Sequence, residues 1–490
     1  MKTNYLIIVL IFIIPLILTI STLGNIFLSP ITYAIWLTME IGLISTLTFY
    51  SNYRKSKEIK SNLVNVLRNY KVASIVVSYN EDPETLKYTI ISIKDATGAL
   101  GDVFLLDDST HKEKVELNKK FCEENNIKYL HRDNRRGYKA GALNDFLKLY
   151  GNNYDLIAVF DSDQRPVKSF FYDLIPFFND PKIAFVQIPQ AYTESNTRVA
   201  IGAAYQQMPF NEVVMTGRDV TGSAFILGSG FIARISALMD VGYFDESAVT
   251  EDLATSIELH SKGYKSIYVN YPGIWYGEPP KTVDAYIIQQ GRWSLGTLQL
   301  FKKIIKANMD WRSFLDYFSG ILYWFKEGPL TIFEIAAPVL FLIFKFFILK
   351  VNPWIFSIAY YPVFIFSLLM FVYSMKKREY GPKGFFYHQF IELLMMPPVT
   401  LSFFAWIMRR RVPFKVTPKN GKNKTSKWVA LYIFLEIVLI ISIISGILWY
   451  KSTSLLMLKY SIIINLTWAI YFLFLNTGTF FLFFEKEKNF

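Results

Sequence analysis

Two hydrophobic patterns divide the chain. Near both ends, apolar residues run on for about twenty positions at a time, enough to cross a ~30 Å hydrocarbon core as a helix. Between Val72 and about Leu300 they come in short runs, each closed by polar or acidic residues. Residues 5–28 and 31–50 predict two N-terminal membrane helices, separated by Ser29-Pro30. A secretory signal peptide is the competing reading of the first, against which stand its length, the single Lys2 before it and the second span at once after it. Arg54, Lys55, Lys57 and Lys60 follow, which places this side, and the N-terminus, in the cytoplasm. Residues 311–328 are amphipathic and aromatic-rich and predict a helix lying on the membrane surface. Residues 329–349, 353–374, 428–450 and 456–484 predict four more spans, with Glu334 and Glu436 at membrane depth and functional by default. Residues 390–408 are apolar enough to cross, but Met395-Met396-Pro397-Pro398 interrupts them and basic loops flank both sides. An interfacial or re-entrant segment is expected there, for six crossings in the cell membrane and cytoplasmic termini.

In the middle region, residues 72–78, 103–106, 127–130, 156–160 and 184–188 read as buried strands. Helical stretches at 82–97 and 112–125 lie between them. The alternation predicts an α/β domain with a largely parallel sheet. Ligands of such sheets bind at the carboxyl ends of the strands. The chain has 490 residues, a net charge of +12, 52% hydrophobic residues, one cysteine (Cys122) and four His. That excludes an internal disulfide framework and a Cys-rich zinc site, and argues against a His-based metal cluster. The positive balance suits an anionic membrane face better than nucleic acid, because the basic residues cluster beside apolar spans.

Acidic and amide residues collect at the predicted strand and helix ends. Asp161-Ser162-Asp163 closes the strand at 156–160; two carboxylates there suit one hard divalent cation, Mg²⁺ or Mn²⁺, shared with phosphates. A polar turn capping a strand reads the same residues. Asp107-Asp108-Ser109 closes an earlier strand, with a helix cap or Asx turn as the alternative. Tyr79 offers a flat face to a base, and Glu81 an acceptor for its N–H. Lys139, among small residues opening a helix, suits a pyrophosphate. Thr250-Glu251-Asp252 opens another helix; Asp252 is the candidate general base, with Glu251 beside it, and an N-cap with an acidic first turn is the structural alternative. Gln289, Arg292 and Trp293 share one stretch: an amide for hydroxyls, a cation for a diphosphate and an indole for a sugar ring.

The order of these motifs resembles that of the family 2 glycosyltransferases, and within them the cellulose synthase catalytic subunits. Gln187-Ile188-Pro189-Gln190 is similar to the family's Gln-x-Pro-x element, and Phe414-Lys415-Val416-Thr417-Pro418-Lys419 to its gating loop. The resemblance implies a cytosolic GT-A (Rossmann-like) domain at 70–300 inserted between α-helical membrane segments: two helices in 1–50, interfacial and transmembrane helices in 311–408, a cytosolic gating loop at 409–427 and two helices in 428–484. It implies a processive inverting transferase that polymerises glucose from UDP-glucose and translocates the β-glucan. By motif, Tyr79, Glu81, Asp107 and Asp108 serve the nucleotide, Lys139, Asp161 and Asp163 the diphosphate and metal, and Asp252 with Glu251 the catalysis. Gln289, Trp293 and Gln187 serve the acceptor, Arg292 the leaving group, and Thr417 and Lys419 the closure over the nucleotide. The implied partners are the donor, a glycan acceptor and membrane lipids, with no nucleic acid. The PilZ domain of many bacterial cellulose synthases has no counterpart after Lys419, and Tyr138 and Ala142 depart from their Lys motif. Synthases of the hyaluronan, chitin or mannan type, or a single transfer to lipid, share the chemistry. A transporter or membrane scaffold would account for the spans but not for the ordered acidic motifs.

Overall fold

The computed structural model describes residues 70–193, 197–347, 352–375, 380–410 and 426–484. The expected spans at 5–28 and 31–50, and Thr417 and Lys419, lie outside the described residues.

Among the described residues nine strands are formed: β1 (Val72–Ser78), β2 (Gly101–Asp107), β3 (Lys128–His131), β4 (Leu156–Asp161), β5 (Arg165–Pro166), β6 (Ile183–Gln187), β7 (Phe231–Arg234), β8 (Lys265–Tyr268) and β9 (Ile274–Tyr276). Seven make one sheet in the order β3-β2-β1-β4-β7-β6-β8, and β5 pairs with β9. All but β7 run parallel to their neighbours in the large sheet. Register fixes one chemical edge. Ser78 pairs with Asp107 and Val77 with Asp161, so β1, β2 and β4 end together. Because β7 is antiparallel, its start, Phe231, lies opposite Val159 and Gln187 at that same edge. The loop entering β7 therefore meets the acidic strand ends.

The inner parallel strands β1, β2, β4 and β6 are buried on both faces, as their unbroken apolar runs require, whereas the edge strand β3 is partly exposed. On one face Val72, Val76 and Val103 pack with Leu86, Ile90 and Ile93 of helix Pro83–Thr97. Asp82 caps that helix, its Oδ2 accepting from Thr85 N at 2.9 Å. On the other face Ala73, Ile75 and Phe104 meet Phe146 of helix Tyr138–Tyr150. Each fully buried Val, Leu, Ile or Phe side chain among these contributes roughly 1.5–3 kcal/mol.

From Val283 onward the described elements are all helical. Trp311–Phe325 does not end where a span was expected to begin. It passes through a π-helical turn, Lys326–Leu330, straight into Thr331–Phe344. Pro329 has no N–H, and a wider turn accommodates it without a break; Thr331 Oγ1 donates to Lys326 O at 2.8 Å. A larger correction concerns the interruption expected at Met395–Pro398: residues 390–407 belong to one continuous helix, Gly381–Ile407, with Pro397 and Pro398 inside it. Each proline leaves the carbonyl four residues earlier without its helical partner. Those carbonyls, Leu393 O and Leu394 O, both accept from the buried Tyr432 hydroxyl, at 3.0 and 3.2 Å. A neighbouring helix thus supplies the donor the prolines lack. Among the described residues, four helices are long and apolar enough to cross a membrane: Trp311–Phe344, Gly381–Ile407, Val429–Ser452 and Leu456–Phe481.

Candidate active site

β4 delivers Asp161, Ser162 and Asp163 to the chemical edge. Asp161 N donates to Ser229 Oγ at 2.9 Å, which ties the end of β4 to the loop Gly228-Ser229-Gly230. Gly228 and Gly230 have φ of +86° and +65°, values that favour glycine. A Cβ at Gly228 would stand 3.1 Å from Asp252 Oδ2, so bare backbone lies against that carboxylate. Gln187 holds this loop. It is fully buried; its Nε2 donates to Ile188 O and Ser229 O at 2.7 and 2.9 Å, and its Oε1 accepts from Leu227 N at 2.8 Å. Gln187 was expected to contact an acceptor; its buried amide instead fixes the glycine loop.

Lys139 enters from the first turn of helix Tyr138–Tyr150. Gly137 and Tyr138, both with positive φ, turn the chain into that helix. Lys139 Nζ pairs with the Asp161 carboxylate and donates to Gly228 O at 2.7 Å. Burial alone would lower its pKa; the charge of Asp161, with Glu251 and Asp252 behind it, holds it above the ordinary lysine value.

Glu251 and Asp252 open helix Glu251–Ser261. Burial pushes the Glu251 carboxyl up, against the pull of Lys139. Burial, then the neighbouring Glu251 charge, pushes Asp252 up to about 7. Opposite them, helix Val283–Gln299 is capped by Thr282, whose side chain accepts from Ala285 N. Gln289, Arg292 and Trp293 fall at i, i+3 and i+4 and share a face. Burial lowers the Arg292 pKa, while the charges of Glu251, Asp161 and Asp252 oppose that, so the guanidinium sits amid the carboxylates. Gly296, one turn on, lets the two helices close: a Cβ there would meet Thr250 Cγ2 at 2.5 Å.

The ends of β1 and β2 differ from expectation. Asp107 is fully buried, and it accepts from Ser109 N, Asn118 Nδ2 and Tyr129 OH at 2.9–3.0 Å. Asp108 holds Arg132 in a two-pronged pair at 2.8 and 2.6 Å. Arg132 also reaches Asp145 and Tyr138 O. Both aspartates therefore brace the edge and the Lys139 loop from inside, rather than presenting free carboxylates to a nucleotide. Tyr79 is partly exposed, and the Arg135 guanidinium lies 3.3 Å above its ring centroid. Glu81 is partly exposed on the same rim, where its backbone carbonyl accepts from Lys114 Nζ.

Tyr192 was not anticipated by sequence reasoning. Gln207 Nε2 donates to its hydroxyl at 3.1 Å. A tyrosine after a Gln-x-Pro-x element carries no signature of its own; only the fold brings it to Gln207.

Asp161 and Asp163 are hard oxygen donors of the type Mg²⁺ or Mn²⁺ takes, and Asp163 is held in place by Glu278 N at 3.3 Å. Among the described residues no group of three or more His, Cys, Asp or Glu could enclose a metal by itself. The donor set fits a cation shared with substrate phosphates and does not fit a closed protein cage. Beside this cluster opens a cavity of about 1770 Å³, which runs from Asp252 and Trp293 between the helices to Trp468. Its wall is rich in aromatic faces, including Trp324, Tyr360 and Tyr471.

Residues 156–374 match the model of "Glycosyl transferase family group 2". The chain is 26% identical over 421 residues to a cellulose synthase catalytic subunit [UDP-forming] of Pseudomonas fluorescens, covering 82% of this chain and 55% of that protein. It is 33% identical over 211 residues to glucomannan 4-beta-mannosyltransferase 9 of Arabidopsis thaliana, covering 41% of this chain and 39% of that one. The chain thus spans about half the length, or less, of these curated relatives. A mannosyltransferase structure from Pyrobaculum calidifontis superposes with a TM-score of 0.50 over 78% of this chain and 99% of its own, at 14% identity, a likeness of fold alone. Residues 156–374, which hold Asp161, Asp163, Glu251, Asp252 and Arg292, thus match a family 2 glycosyltransferase domain.

Proposed function

We propose that the chain polymerises glucose from UDP-glucose into a cellulose-like β-glucan and passes the product through its membrane helices. One observation carries this reading: Asp252, amid the charges of Lys139, Asp161, Glu251 and Arg292, lines an aromatic-walled cavity together with Trp293. Asp252 takes the proton of the acceptor hydroxyl as its oxygen bonds to the anomeric carbon. The bond from that carbon to the diphosphate breaks, with inversion, and its electrons leave with the nucleoside diphosphate. Arg292 and Lys139 face the charge that builds on the leaving group. Trp293 offers a face to the acceptor ring and Gln289 an amide to its hydroxyls. Asp161 and Asp163 would hold a divalent cation, which supplies further charge neutralisation at the diphosphate. Tyr79 and Glu81 take the base, Thr417 and Lys419 close over the nucleotide, and the catalytic domain and both termini face the cytoplasm of a six-span protein.

A mannan-type reaction is the second reading. It is favoured by the identity of 33% to the Arabidopsis glucomannan enzyme, and by the GDP-Man and Mn²⁺ named with the Pyrobaculum structure. The deciding experiment offers purified protein UDP-glucose, UDP-N-acetylglucosamine, UDP-galactose and GDP-mannose separately, with Mg²⁺ or Mn²⁺, and sizes the product. A long product from UDP-glucose, cut by a β-1,4-glucanase, is expected. A long product from GDP-mannose alone replaces the sugar and keeps the mechanism; a short, solvent-extractable product refutes polymerisation.

A further inference from the structure

Between the end of β3 and the first turn of helix Tyr138–Tyr150 stand the cations Arg132, Arg135, Arg136 and Lys139. Three of them are engaged by carboxylates. Arg132 holds Asp108 and Asp145 at 2.6 and 3.0 Å. Arg136 pairs with Asp145 at 2.7 Å and also with Glu246. Lys139 pairs with Asp161. Arg135 differs. Among the described residues no ion pair or side-chain hydrogen bond engages its guanidinium, and its Nε is buried without a partner. What holds it is aromatic: it lies 3.3 Å above the Tyr79 ring centroid and 5.2 Å from that of Tyr138. At 3.3 Å the guanidinium is in van der Waals contact with the Tyr79 face. A guanidinium laid on an aromatic face keeps its N–H groups in their own plane, directed past the ring. Nε is closed off and the residue is partly exposed, so the two terminal nitrogens are its open end.

Tyr79 follows Ser78, the last residue of β1, and β1 lies between β2 and β4. Ser78 pairs with Asp107 and Val77 with Asp161. The stack thus sets an uncommitted positive charge over the middle of the chemical edge, four residues before Lys139. We propose that Arg135 binds the diphosphate of the donor: Tyr79 holds the guanidinium flat, and its terminal N–H groups take phosphate oxygens as a planar fork. The ligand class, a nucleoside diphosphate, rests on the transferase reading above. A diphosphate reaching this edge is repelled by Asp161 and Asp163, and Lys139 is already paired. Arg132 and Arg136 would have to leave Asp108, Asp145 or Glu246 to bind it. Arg135 attracts the same anion without breaking an ion pair first.

The test reads binding rather than turnover. Full-length wild type, Arg135→Ala, Arg135→Gln, Arg135→Lys and Arg136→Ala are placed in lipid nanodiscs with Mg²⁺. Kd is measured for UDP, GDP and inorganic pyrophosphate, together with the melting temperature. Arg135→Ala should weaken every one of these that the wild type binds by about thirtyfold, the loss of one charge-assisted contact, and leave the melting temperature unchanged. Arg135→Gln keeps a flat end group on Tyr79 and removes the charge; it should lose as much, and it replaces Arg135→Ala if that variant melts early. Arg135→Lys should recover only part, because an ammonium keeps the charge without the fork. Arg136→Ala removes a charge already engaged by Asp145 and Glu246, and should weaken UDP less than threefold. Affinity unchanged or raised in both Arg135→Ala and Arg135→Gln would overturn the proposal. So would a loss for UDP or GDP without a loss for pyrophosphate, which puts the contact on the base. An equal loss in Arg136→Ala would overturn it too, as charge acting from a distance, and so would a wild type that binds no diphosphate. A wild type that binds UDP or GDP yet transfers no sugar from any donor refutes the transferase reading alone; the Arg135 comparison is still decided by these affinities.

Discussion

The sheet and the C-terminal helices use equally apolar sequence in opposite ways. In β1 and β4 the runs Val72–Val76 and Leu156–Phe160 are fully enclosed. In helix Val429–Ser452, Phe434 and Leu448 stand 62% and 63% exposed. Polar groups are reversed as well. The catalytic domain brings them to one open edge, whereas the helices turn them inward: Glu436 accepts from Asn476 and Thr477 at 2.5 and 2.6 Å, and Tyr432 serves two proline-freed carbonyls. The difference reflects two surroundings. Water satisfies an exposed polar edge, but hydrocarbon satisfies nothing, so a membrane helix must meet its polar needs through its neighbours.

The largest effect is expected at the open edge. Asp161→Ala should cut transfer about 10³-fold, near 4 kcal/mol of transition-state stabilisation, with the fold intact by circular dichroism. A loss under threefold would remove Asp161 from the chemistry. The enclosed polar interior should answer to pH instead. Burial pulls His260 down to about 4, and it bonds Tyr317 OH and Ser266 Oγ at 2.8 and 3.0 Å. A depressed value favours the neutral ring in the fold, so its contribution is present above about 6.5. That contribution, about 3 kcal/mol, is lost as pH falls toward 4. Denaturant melts of the wild type should weaken across that window, and a variant with a non-titrating residue at 260 should lose that slope. Tyr432→Phe should cost about 1–3 kcal/mol by leaving both carbonyls without a donor; an unchanged melt in detergent would mean that the prolines need no help. Least is expected on the water-facing surface: Lys87→Ala breaks the pair with Glu84 at 2.8 Å, and its melting temperature should not change measurably.

Most of the sheet was legible because strands buried on both faces read as unbroken apolar runs. β5, β8 and β9 are only two to four residues long, too short for any period to show. β7 is equally short, yet its reversed direction is what brings Gly228-Ser229-Gly230 to the site. The order of acidic motifs pointed to the edge, but not to which carboxylates face the Lys139 cluster. Asp107 and Asp108 look the same as Asp161 and Asp163 in sequence; only the donors from Asn118, Tyr129 and Arg132 separate the two pairs. Tandem proline was read as a break because propensity cannot anticipate a tyrosine hydroxyl from another helix. Tyr192 was missed for the same reason, since Gln207 is separated from it in sequence.

The most direct test compares sugar transfer by the wild type and by Asp252→Asn across pH 5 to 9. The raised carboxyl at 252 must lose its proton to act as base, so wild-type transfer should climb as pH rises through about 7. Asp252→Asn should fall at least 100-fold and lose that climb. A variant that transfers at the wild-type rate, or a wild type equally active at pH 5 and pH 8, would contradict the assignment of Asp252 as the base.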